Sequence, residues 1–126
     1  MKIQPDRIDT LAIQAHGPGW LHAGGQRYEH SVVIAASGVL RAWDCARFEA
    51  LTVEHFAQLA ELAPEVVLFG SGPRLRFVPP ALLRPLIERG IGVETMDTMA
   101  AARTYNILAG EGRRVVAALL IEPGHG

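Results

Sequence analysis

The compact apolar run Glu65-Val66-Val67-Leu68-Phe69, closed at once by Gly70-Ser71-Gly72, limits the fold more than any other stretch of the chain. It is too short to stand as a helix, and it leaves no alternate polar positions for water. It therefore reads as a strand covered on both faces, placed at the centre of a sheet. Covering both faces takes helices, and the neighbouring sequence supplies them. Thr52 is placed to cap a helix with Val53, Phe56, Ala57 and Ala60 at helical spacing, and Pro64 falls just past its end. Leu82, Leu83, Leu86 and Ile87 form a second stripe ending at Gly90, its first turn distorted by Pro85. Gly92 to Thr95 reads as a short strand. Asp97 caps an Ala-rich helix over 98–109, Gly110-Glu111-Gly112 stops it, and 113–121 is a final apolar strand before Pro123-Gly124. Strand, helix, strand, helix, strand at this spacing implies parallel crossovers.

The first fifty residues follow a different grammar. From Asp9 to His16, Leu11, Ile13 and Ala15 alternate onto one side of a strand, and His16-Gly17-Pro18-Gly19 turns the chain. Short extended pieces over 20–23 and 26–28, joined by Gly24-Gly25, make a small meander. The stretches 31–36 and 39–43 form a hairpin about Ser37-Gly38. The expected architecture is a three-layer α/β single domain over residues 1–126. Its central sheet is mixed, with parallel βαβ units in the second half, and the first half adds an antiparallel hairpin or a small second sheet.

Composition narrows the function classes. The chain has 126 residues, 49% of them hydrophobic, enough for one core without a disulfide or metal to hold it. Twelve Lys and Arg stand against thirteen Asp and Glu, a formal charge of −1 with the signs interspersed, which argues against nucleic acid as a partner. No run approaches the length of a membrane span, and the amino end lacks the apolar stretch of a signal peptide. The lone Cys45 excludes an internal disulfide and fits a reducing compartment, so the expected location is the cytoplasm.

The segment 90–98 (Gly-Ile-Gly-Val-Glu-Thr-Met-Asp-Thr), with Ala101-Ala102-Arg103-Thr104-Tyr105-Asn106, the stretch from Glu111 to Leu119, and Phe69-Gly70-Ser71-Gly72, resembles one family. It is the family of small bacterial and archaeal domains of unknown function to which the mitochondrial assembly factor 3 of respiratory complex I belongs. The resemblance spans nearly the whole chain and is densest from 65 to 121. It implies a three-layer α/β fold, no established enzymatic activity and, by analogy with the mitochondrial relatives, work through protein contacts. This chain has Gly70-Ser71-Gly72 where the family commonly has Gly-Thr-Gly, which keeps the hydroxyl.

Candidate surface residues are Gly70, Ser71, Gly72, Asp97, Thr98, Arg103, Thr104 and Asn106. Carboxyl-end loops of parallel strands are where α/β folds bind ligands, and the amides of Gly70-Ser71-Gly72 with the Ser71 hydroxyl could cradle an anion beside the helix starting at Thr98. The loop is neither a P-loop nor a dinucleotide fingerprint, and Asp97 would repel an anion. Arg103, Thr104 and Asn106 do not share a helical face. The structural reading has Thr104 and Asn106 satisfying backbone and Arg103 pairing with Glu94. Arg74 and Arg76, alternating with Leu75 and Phe77, fall on one side of an extended segment and could join Arg103 in a positive rim. Trp20, Trp43, Phe48 and Phe77 are candidates for core or interface anchors, with Trp43 placed in the core and Trp20 exposed beside its turn. No pair among His16, His22, His30, His55 and His125 has the close spacing of a zinc site. Asp44 would raise the Cys45 thiol pKa, and Ser71 lacks an ordered His and acid context. No cofactor, metal or catalytic set is called for. The expected function is a non-enzymatic protein-interaction module, an assembly or chaperone-like accessory that can also self-associate. The other reading is a small-molecule domain holding an anionic metabolite at Gly70-Ser71-Gly72.

Overall fold

The computed structural model describes residues 11–123. The predicted strand start at Asp9 and the residues Gly124 and His125 lie outside that range. The first half divides in two. Strands β1 (Ile13–Gly17), β2 (Trp20–Ala23) and β3 (Gln26–Tyr28) form a separate antiparallel meander. Strands β4 (Val32–Ala35) and β5 (Leu40–Ala42) pair antiparallel and join the main sheet. That sheet continues with β6 (Val66–Gly70), β7 (Gly92–Met96) and β8 (Val115–Leu119) in the order β5-β4-β8-β6-β7. β6 runs parallel to both β7 and β8, while β4 meets β8 antiparallel, so the sheet is mixed as expected.

The middle position belongs to β8, which corrects the expectation that β6 would hold it. β6 is interior all the same, with every residue buried. Side chains of the inner strands alternate between two apolar layers, as the period of two requires. Val33, Ala35, Val67, Phe69, Val116 and Ala118 face helix α1 (Val53–Ala60), a 3-10 turn over Pro80–Leu83 and the short helix α2 (Arg84–Ile87). Val32, Ile34, Val66, Leu68, Ala117 and Leu119 face helix α3 (Thr98–Gly110) and the meander. Hence three layers.

The first layer is built on aromatic rings. Phe56 and Phe69 meet edge-on at 5.6 Å, and Trp43 packs on the two at 6.0 and 6.1 Å, each pair adding about 1 kcal/mol beyond its buried area. Trp43 is thus core, as its phase predicts. The second layer is thin where Ala101 and Ala102 let α3 approach the sheet closely. Pro85, sitting in the first turn of α2, limits regular helix there to four residues.

Two expectations fail in the meander. Ala15 does not share a side with Ile13: a β-bulge leaves Ile13 opposite Ala23 but Ala15 opposite His22, so Ala15 is exposed. Trp20 is half-buried, with its indole against Gly17 and the Arg27 guanidinium 4.6 Å above its ring.

Candidate functional site

The carboxyl ends of β6 and β8 and the amino end of α3 converge on the loop after Gly70. Gly72 is held at φ 103°, a region glycine tolerates, and any side chain there would run into the Arg76 guanidinium. Its amide donates to Thr98 Oγ1 at 2.9 Å, and its carbonyl accepts the Thr98 amide at 2.8 Å. The Thr98 hydroxyl donates onward to the Leu120 carbonyl at 2.7 Å, while the Leu120 amide donates to the Gly70 carbonyl. One threonine thus ties β6, β8 and α3 together. Asp97 caps α3 by accepting the Ala100 amide at 2.8 Å.

Ser71 is fully buried, and its hydroxyl shapes the loop ahead of it. It donates to the Arg74 carbonyl at 2.7 Å, with the Met96 carbonyl at 3.2 Å, and accepts the Arg76 amide at 2.9 Å. The Arg76 guanidinium folds back on the same residue, its Nε and Nη2 donating to the Ser71 carbonyl at 3.0 and 2.6 Å. Nη2 also reaches Glu122 at 2.9 Å, and the guanidinium carbon lies 4.6 Å from the centre of the Phe48 ring. Glu122 accepts the Phe48 amide at 2.7 Å as well. The loop is therefore pinned from both sides, although it displays Leu75 and Phe77 at 52% and 70% exposure.

Other predicted residues fall elsewhere. Arg103 is exposed and makes no ion pair among the described residues, so the expected pairing with Glu94 does not form. It lies apart from the hollow lined by Arg74 and Arg76. Thr104 is half-buried on α3 and makes no side-chain hydrogen bond among the described residues, so the expected contact with backbone does not form. Asn106 does satisfy backbone, and does so across the fold: its Oδ1 accepts the Ile13 amide at 2.8 Å and its Nδ2 donates to the Ile13 carbonyl at 2.7 Å. With the Tyr105 hydroxyl on the Leu11 carbonyl at 2.6 Å, it docks the meander onto α3.

Between the β1–β2 turn and this end of the sheet lies a cavity of about 430 Å³, walled by Trp20, Leu21, Met99, Leu120 and Ile121 and edged by Gly72 and Thr98. His16 borders it with Nδ1 buried and, among the described residues, without a hydrogen-bond partner. Burial pushes the Cys45 thiol pKa up; an interaction with the Arg47 backbone opposes the shift, and the charges of Asp44 and Glu122 add to it. Desolvation thus outweighs the Asp44 charge that the sequence pointed to. Glu122 is the neighbour of this loop that sequence reasoning missed, and Phe48, read there only as a core or interface anchor, lies against Arg76. A single acid after an apolar strand carries no periodic signal, and only the 2.9 Å contact with Arg76 brings it forward.

Residues 13–120 match the family described as a protein of unknown function (DUF498/DUF598). The chain belongs to that family. It is similar to the bovine NADH dehydrogenase [ubiquinone] 1 alpha subcomplex assembly factor 3, 39% identical over 84 residues, which are 65% of this chain and 46% of that protein. The match to an uncharacterised Rhodobacter capsulatus protein is 36% identical and covers 96% of this chain and 93% of that one. Among solved structures, a Bordetella parapertussis protein superposes with a TM-score of 0.84 at 44% identity, covering 90% of this chain and 97% of that one. The mixed α/β architecture of family members thus extends to this chain. The matched stretch spans less than half the length of the bovine assembly factor. Among the described residues, no helix is long and apolar enough to cross a membrane.

Proposed function

We propose that this chain is a non-enzymatic interaction module, an assembly accessory that meets its protein partner with the loop after β6. The observation that carries the reading is the contrast within that loop. Ser71, the Arg74 carbonyl and the Arg76 amide and guanidinium edge are engaged internally, yet Leu75 and Phe77 are held out in water on that support. Large apolar side chains kept exposed on a preorganised segment are the pattern of interface anchors, because little ordering entropy remains to oppose docking. The name of the bovine relative, an assembly factor, points the same way. In this reading Gly70, Ser71, Gly72, Asp97 and Thr98 frame the loop, Arg103 and Thr104 extend the polar surface along α3, and Asn106 serves the fold behind it. The Ser71 hydroxyl is surrounded by carbonyls and an amide, which supports a scaffolding role over a nucleophilic one. A cytoplasmic location accords with the single buried, unpaired Cys45.

The test is affinity purification from native cells with wild type and a Leu75→Ser/Phe77→Ser variant side by side. The wild type is expected to recover a defined protein set, or a second copy of itself, that the variant loses while keeping its melting temperature. Recovery indifferent to both substitutions would remove the basis of the reading.

The cavity beside Gly72 supports a second reading, small-molecule binding, because about 430 Å³ lies within the range of ligand sites. An anionic metabolite that raises the melting temperature, with the rise abolished by Thr98→Val or Gly72→Val, would favour it.

A further inference from the structure

Resting on the interaction reading, we infer that the hollow on the outer side of the loop receives a carboxylate from an acidic residue of the partner's docking segment, beside an apolar residue laid on Leu75 and Phe77. The hollow measures about 270 Å³, and Arg47, Arg74 and Arg76 all line it. Arg76 is built into place by Phe48 beneath it and by Ser71 and Glu122 along one edge. A guanidinium has five donors in a fixed fork, and the internal contacts engage Nε and Nη2. Nη1 makes no hydrogen bond among the described residues. Arg47 and Arg74 are exposed, and neither forms an ion pair among those residues.

The charge balance selects the kind of anion. Among the described residues lining the hollow, Glu122 is held by Arg76 and the Phe48 amide, and Glu49 is the other acid beside Arg47 and Arg74. A surplus of one positive charge in a small hollow suits a single carboxylate, held by the planar fork of an arginine. It does not suit a polyphosphate or nucleic-acid backbone, which needs a concentrated basic patch. A protein segment is favoured over a free anion because the wall of the hollow, Pro73-Arg74, runs straight into Leu75. An apolar surface next to a cationic one is complementary to a segment carrying both kinds of side chain.

A displayed library of random peptides, selected on the wild-type protein, provides the probe, and selected peptides are then measured by fluorescence anisotropy. The expected winners carry Asp or Glu next to an aliphatic or aromatic residue. They bind an Arg47→Glu/Arg74→Glu variant roughly tenfold more weakly or worse, with its melting temperature unchanged. Replacing the peptide acid with Gln reproduces the loss in wild type. Peptides that bind the reversed variant equally well but are lost with Phe77→Ser overturn the acidic partner and leave the interaction module standing. Peptides indifferent to Phe77 and to both arginines overturn the two readings together. Citrate or inorganic phosphate that perturbs the Arg47 and Arg74 resonances as tightly as the best peptide shows a free-anion site and overturns the docked carboxylate.

Discussion

Arg76 and Glu122, 46 residues apart in the chain, meet at 2.9 Å with their side chains only 14% and 7% exposed. The pair joins the loop after β6 to the segment after β8. Breaking one side of such a pair leaves an uncompensated charge in a poorly hydrated place, which costs far more than an exposed ion pair is worth. Glu122→Gln is therefore expected to lower unfolding stability by about 3 kcal/mol in denaturant titration. An Arg76→Met/Glu122→Gln double variant should recover part of that loss, and an unchanged midpoint in the single variant would show the pair to be inert.

Ser71 predicts a local effect in addition to a global one. Ser71→Ala leaves the Arg74 carbonyl and the Arg76 amide without the hydroxyl between them, at a cost of about 1–3 kcal/mol. Amide hydrogen exchange at Arg76 should accelerate more than exchange in β8. Uniform acceleration across the sheet would mean that Ser71 stabilises the whole domain without specially ordering the loop.

Hydrogen bonds from Asn106 and Tyr105 of α3 reinforce the apolar packing that holds the meander, so Asn106→Leu should loosen it selectively. The substitution removes both hydrogen bonds to Ile13 while keeping most of the volume. Protection of the β1 and β2 amides is expected to fall while that of β6 and β8 stays near wild type. Equal loss in both sheets would argue that meander and main sheet unfold as one unit.

Alkaline pH should weaken the fold. Burial raises the Tyr105 hydroxyl pKa above its ordinary 10.0 and the Cys45 thiol pKa above 9.0. In both groups the folded state holds its proton more tightly than the unfolded chain. Their contribution is complete below the unfolded pKa and is lost as pH climbs from about 9 through the folded values. Tyr105→Phe is expected to flatten the part of this decline that begins near pH 10, read as melting temperature against pH. A decline of unchanged slope would assign it to other groups.

Much of the fold was legible because its signals are local. The apolar run at β6, the Asp97 cap, the Ser37-Gly38 turn and the helical spacing of Val53 to Ala60 each depend on residues within one or two turns of one another. All of them appear where periodicity and capping put them. Ala15 shows where that logic stops: one bulge residue shifts the phase, and alternation alone carries no mark of it. At the site, Gly72 and Thr98 were readable as neighbours because strand ends and helix starts coincide in parallel crossovers. Glu122 and Phe48 were not, since their roles exist only once β8 delivers its end beside the loop.

The amino-acid order by itself determined the period of each element, where it is capped and turned, and that the inner strands need cover on both faces, because these follow from steric and hydrogen-bonding preferences within a few residues. Only the tertiary structure decided that β8 takes the middle of the sheet, that the first half splits between two sheets, and that Arg76 turns inward to Glu122 while Leu75 and Phe77 stay in water. Those outcomes rest on competition between distant segments for the same buried surface, and that competition is settled when the layers pack.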